Sequence, residues 1–178
     1  MVDRAPAVTP RLGSLLIATL MCCSLGLEAA SAAQKPPLVE QPAPGFTLQL
    51  IANGQGSFSL AQQRGHGVYI NFFASWCKPC GQEVQTIQAA APTFEQRGVR
   101  VLGIVVLDSR AAALSFVRDH HLTYPIALDA SGNTGAAYRV QQLPLHVFIG
   151  PNGIVDQYVP GGPIPAQELR TGLAQIAR

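Results

Sequence analysis

Charged side chains are scarce in this sequence: 12% of its 178 residues are Asp, Glu, Lys or Arg, against 48% apolar. That balance excludes an intrinsically disordered chain, and the length suits one ordinary domain with a real core. Neither sign of charge dominates, since the formal net charge is +2 and the basic residues are scattered along the chain. Nucleic acid is therefore not an expected partner. Cysteine is scarce too, with four in all. Cys22 and Cys23 lie in an N-terminal apolar run, which leaves Cys77 and Cys80 for the rest of the chain. A single pair two residues apart closes only a tiny loop, so a disulfide-stapled scaffold is excluded. No internal repeat, glycine-rich nucleotide loop or serine-triad pattern is present.

What is there begins with a distinct N-terminal stretch. Arg4 and Arg11 precede an apolar run over residues 12–27, and Ala30-Ser31-Ala32-Ala33 then offers small residues at cleavage spacing. Residues 1–33 read as an export signal. The alternative is a retained membrane anchor, although about 16 residues is short for a span that needs roughly 20. Leu20-Met21 before Cys22 do not provide the small residues of a lipoprotein signal. Residues 34–45, with Pro36, Pro37, Pro42 and Pro44, read as a linker without regular structure.

From residue 46 the pattern is that of a folded α/β domain. Alternation over residues 46–51, the turn Asn53-Gly54-Gln55-Gly56 and the apolar Phe58 and Leu60 predict an N-terminal β-hairpin. Apolar runs at 68–73 and 99–107 predict buried strands, with a helix between them carrying Val84, Ile87, Ala91 and Phe94 on one face. Pro92 is expected to kink or interrupt that helix. Asp108-Ser109 caps a second helix, residues 124–128 form a strand, and 134–138 a short helix. Two strands around the turn Pro151-Asn152-Gly153 and a last helix bearing Leu169, Leu173 and Ile176 complete the chain. Together these elements predict a mixed sheet covered by helices on both faces.

The most informative segment is Trp76-Cys77-Lys78-Pro79-Cys80, directly after the strand at 68–73. Two cysteines at this spacing form either a redox pair or half of a metal site, and the strand-to-helix setting favours redox. A thiol at the first turn of a helix faces unpaired backbone N–H groups and the positive end of the dipole, which favour the thiolate. Cys77 is thus the expected nucleophile, with Lys78 as a neighbouring cation.

Beginning near residue 43, the sequence resembles the thioredoxin fold and, within it, exported or membrane-anchored thiol-disulfide oxidoreductases of the TlpA/ResA type. The resemblance rests on Asn71-Phe72-Phe73-Ala74-Ser75-Trp76 before the CxxC, on Val140-Gln141-Gln142-Leu143-Pro144, and on Phe148-Ile149-Gly150-Pro151-Asn152-Gly153. It implies a thioredoxin-like domain over 46–178, with Cys77 attacking substrate disulfides and Cys80 resolving. It further implies a cis peptide before Pro144, a main-chain substrate contact at Leu143, and a substrate surface shared by Trp76, Lys78 and Pro79. Trp76 is expected to pack over that surface. Glu83 matches an acid of the family and stands three residues beyond Cys80, so it is either a proton acceptor for that thiol or a solvated first-turn glutamate. No cofactor beyond the disulfide is implied.

The implied partners are an exported protein with disulfides, such as apocytochrome c, and a membrane thiol transporter of the DsbD/CcdA type. This chain departs from the family at Asn71, where thioredoxin has a buried acid, and at Leu145 and His146, where small polar residues are usual. Gln142-Leu143-Pro144-Leu145 also differs from the segment common in the cytochrome-maturation branch. His120 and His121 read as a solvated helix end. Two other readings are a peroxiredoxin-like peroxidase, whose usual cysteine setting Phe73-Ala74-Ser75-Trp76 does not provide, and a redox-inert copper-binding module using Cys77 and Cys80, to which His146 would add a ligand.

Overall fold

The computed structural model describes Met1 and residues 36–177, and residues 34–178 form one compact unit. The export-signal or anchor reading of residues 1–33 lies outside the described residues apart from Met1. Seven strands form one sheet in the order β2-β1-β5-β4-β3-β6-β7. They are β1 (Thr47–Ala52), β2 (Ser57–Ser59), β3 (Val68–Phe73), β4 (Arg100–Val106), β5 (Ile126–Asp129), β6 (Leu145–Ile149) and β7 (Val155–Pro160). Between and after them run α1 (Lys78–Glu95), α2 (Arg110–Asp119), α3 (Asn133–Ala137) and α4 (Ala166–Ile176). β3, β4 and β5 are mutually parallel, and the remaining pairings are antiparallel. The predicted mixed sheet and its N-terminal hairpin are both present.

The central strand β3 sorts its side chains by the two-residue period of a strand. Tyr69 and Phe73 join the core beneath α1, α2 and α4, among Val84, Phe116 and Leu173. Val68, Ile70 and Phe72 enter the opposite core with Leu102, Ile104, Val147 and Tyr138. All six residues of β3 are buried, which explains why its sequence lacks the alternation of a half-exposed strand. In the ladder to β6, Asn71 stands opposite His146 and Tyr69 opposite Phe148, so these four project to the α1 side. On β4 the partner of Asn71 is Gly103, where a Cβ would come within 2.9 Å of the Phe73 ring. Only glycine leaves that space open.

Two expectations are corrected. The interruption expected at Pro92 is absent, and α1 runs through it to Glu95, because the proline lies in the last turn and removes a single backbone donor from a helix otherwise held by its buried face. The proline-rich segment is also more than a spacer. Leu38 is buried, Glu40 N donates to Val155 O at 2.8 Å, Val155 N to Gln41 O at 3.0 Å, and Pro42 bridges to Ile154. Prolines prevent a continuous strand here, yet the residues between them retain their N–H groups. They cover the start of β7, an edge strand with unpaired backbone groups.

Candidate active site

Cys77 is the N-cap of α1, and its sulfur accepts a hydrogen bond from Cys80 N at 3.2 Å. Pro79 follows inside the first turn, where its missing N–H costs nothing and its fixed φ suits a helix start. The two sulfurs are joined as a disulfide. They are unequal: Cys77 is 6% exposed and Cys80 0%. An incoming group can therefore reach only the Cys77 side.

A groove beside Cys77 is walled by Trp76, Lys78 and Pro79 on one side and by residues 140–143 on the other. Leu143 is half-buried and stands just ahead of the β6 ladder, joined to the buried Pro144 by a cis peptide bond. Trp76, expected to pack over the active-site surface, is 66% exposed and lines this groove beside Cys77. It sits in the loop ahead of α1, outside both cores. Leu107 adds a second exposed apolar side chain to the same groove.

Asp108 is a site residue that sequence reasoning missed, having treated it only as part of a helix cap. Ser109 alone caps α2, its hydroxyl accepting from Ala112 N at 3.1 Å. Asp108 instead fastens the active-site loop: its carboxylate accepts from Ser75 N and from Ser109 N, each at 2.7 Å. The local signal was an acid at the end of a buried strand, which says nothing about a loop 33 residues away.

Beneath Cys80 the core turns polar. Glu83 is buried, so the solvated first-turn reading is overturned. Its Oε1 accepts from Asn71 Nδ2 at 3.0 Å and its Oε2 from Ile164 N at 3.0 Å, while His146 Nε2 lies 3.2 Å from Oε2. His146 Nδ1 meets Tyr69 Oη at 2.9 Å. Burial, then the Glu83 carboxylate and then Tyr124 push the Tyr69 phenol well above its ordinary value, so it stays neutral. His146 thus faces Glu83 and Tyr69 in the core, not the open side of the cysteines. His121 is exposed as expected, but His120 packs its ring 4.2 Å from that of Phe116. Among the described residues no three His, Cys, Asp or Glu side chains gather as a metal cluster.

Residues 39–158 match the model of the AhpC/TSA family. The chain belongs to this family. Within the range of known proteins it resembles, the thiol-disulfide oxidoreductase ResA of Bacillus subtilis (strain 168) is 32% identical over 154 residues, covering 85% of this chain and 83% of that protein. The ResA of Oceanobacillus iheyensis is 30% identical over 125 residues, covering 69% of this chain and 65% of that one. Among solved structures, a putative thiol:disulfide interchange protein DsbE from Chlorobium tepidum superposes with a TM-score of 0.67 at 26% identity, over 76% of this chain and 94% of that one. The fold is thioredoxin-like, and the chain is a thiol-disulfide oxidoreductase with Cys77 and Cys80 in CxxC spacing, joined as a disulfide.

Proposed function

We propose that the chain is an extracytoplasmic reductase of protein disulfides in which Cys77 attacks and Cys80 resolves. The observation that carries this order is the unequal burial of the two sulfurs, with Cys77 alone opening on the groove. The Cys77 thiolate attacks a substrate disulfide, forms a mixed disulfide and expels one substrate thiolate. Cys80 then gives its proton to Glu83 and attacks the Cys77 sulfur. That closes the Cys77–Cys80 bond and expels the second substrate thiolate, so two electrons pass from enzyme to substrate and the leaving thiolates take up protons. Trp76, Lys78 and Pro79 line the approach, and Leu143 ahead of Pro144 offers its main chain to an extended substrate segment. No cofactor beyond the disulfide enters the cycle.

Export is supported by the basic and apolar residues of the N-terminal stretch and its small-residue end. Electrons would come from a membrane thiol transporter of the DsbD/CcdA type, and apocytochrome c is a fitting substrate class. Trapping tests the whole reading. Cys80→Ala expressed in its native envelope should accumulate a mixed disulfide on Cys77 whose partner is an exported protein, while Cys77→Ala should abolish insulin-disulfide reduction. Normal turnover by Cys77→Ala would sink the reading, as would tight stoichiometric metal binding by the reduced protein without reductase activity.

A further inference from the structure

The floor beneath Cys80 holds a titratable side chain that the exchange cycle leaves unused. His146 is fully buried on β6, and its Nε2 makes no aligned hydrogen bond although Glu83 Oε2 is 3.2 Å away. A buried polar atom without a partner is costly, so its retention needs a reason. The other two contacts of the Glu83 carboxylate, Asn71 Nδ2 and Ile164 N, are amide donors that cannot take a proton. Tyr69 and Tyr124 are the remaining titratable groups near it, and burial pushes both phenols up, so they stay neutral. An imidazole ring nitrogen without a hydrogen is an acceptor, which neither amide nor either neutral phenol proton can replace at that position.

The hydrogen bond at the far side of the ring supplies the geometry. A phenol oxygen accepts as well as donates, so Nδ1–H can donate to Tyr69 Oη and leave the Nε2 lone pair facing Glu83 Oε2. Two acceptors 3.2 Å apart then form a seat for one proton. We propose that His146 is a positioning residue for the resolving step: it holds the Glu83 carboxylate one helical turn from Cys80 and shares the proton that Cys80 releases. The inference rests on Glu83 being the acceptor for Cys80. In the balanced step, the Cys80 thiol proton moves to the Oε2–Nε2 pair and the Cys80 sulfur bonds to Cys77. The Cys77–substrate bond breaks, and the departing thiolate later recovers a proton from the pair or from solvent.

Stopped-flow reaction of the reduced protein with an aromatic disulfide that releases a coloured thiolate separates the two steps. The first phase reports attack by Cys77 and the second attack by Cys80. Glu83→Gln and His146→Asn should each slow the second phase by about a hundredfold, the low end of the usual scale for positioned proton transfer, and leave the first within about twofold. The double variant should be no slower than Glu83→Gln alone, because His146 acts through Glu83. Additive losses, or a second phase of normal rate in His146→Asn beside a slow one in Glu83→Gln, would overturn the role of His146 alone. A normal second phase in Glu83→Gln would instead remove the acceptor and the inference with it. Should His146→Asn fail to fold, Tyr69→Phe decides: a slowed second phase with a normal first supports the proposal, and two normal phases overturn it.

Discussion

The two faces of β3 are equally buried and chemically unlike. Val68, Ile70 and Phe72 join an apolar cluster with Leu102, Ile104 and Val147. On the other face Tyr69 and Asn71 stand beside His146 and Glu83, in a polar cluster closed from solvent, with Glu83 on the buried side of α1 that also carries Cys80. Burial by itself therefore does not mark a purely hydrophobic core. One face supplies most of the stability this strand contributes, while the other spends some of it to hold a carboxylate and an imidazole beside a thiol.

The sharpest way to break that comparison is to cut into each face and ask what is lost. Ile70→Ala, on the apolar face, should destabilise the fold by about 2–5 kcal/mol while the exchange kinetics of the folded protein stay near normal. Denaturant unfolding together with stopped-flow kinetics checks both halves. A large kinetic loss at unchanged stability would show that the faces are not separate in role. Tyr69→Phe, on the polar face, should cost less, about 1–3 kcal/mol, because it removes one hydrogen bond and leaves the His146 nitrogen without its partner.

A milder perturbation touches both faces together. Tyr69 and Tyr124 on the α1 side and Tyr138 on the other have phenols held above their ordinary values, in each case chiefly by burial. A folded-state value above the unfolded one means that the neutral phenol favours the fold below about pH 10, and that this contribution fades as pH rises beyond it. Phenolate absorbance should therefore appear together with loss of structure on alkaline titration. Ionisation of all the tyrosines in a protein that stays folded would contradict the buried placement. The smallest effect is expected at the mouth of the site, where Asp108→Ala frees Ser75 N and Ser109 N. About 1–2 kcal/mol of stability should go, with a lower rate of attack by Cys77 in the first stopped-flow phase.

Much of this was legible along the chain. The largely apolar run of β3, the helix-start proline after Cys77 and the hairpin turn are local signals, and each element formed where its pattern predicted. Leu143-Pro144 was legible through the company it keeps. The fastening of residues 38–43 onto β7 was not, since a proline-rich stretch reads as a spacer until an edge strand is placed beside it. Asp108 escaped for the same reason, because its partner Ser75 is distant in sequence. Glu83 could be assigned a helix face but not a depth, and both readings of it stayed open until Asn71 and Ile164 were found bonded to it.

By itself the sequence determined the redox pair, the order of strands and helices and the family resemblance, because all three are written in short-range spacing. Only the tertiary structure decided that Cys80 is sealed, that Glu83 is buried on the same helix, and that Asn71 and His146 stand opposite one another on paired strands. Those facts depend on register and on which side of a sheet a helix packs, and a strand register is set by partners that no local stretch of sequence contains.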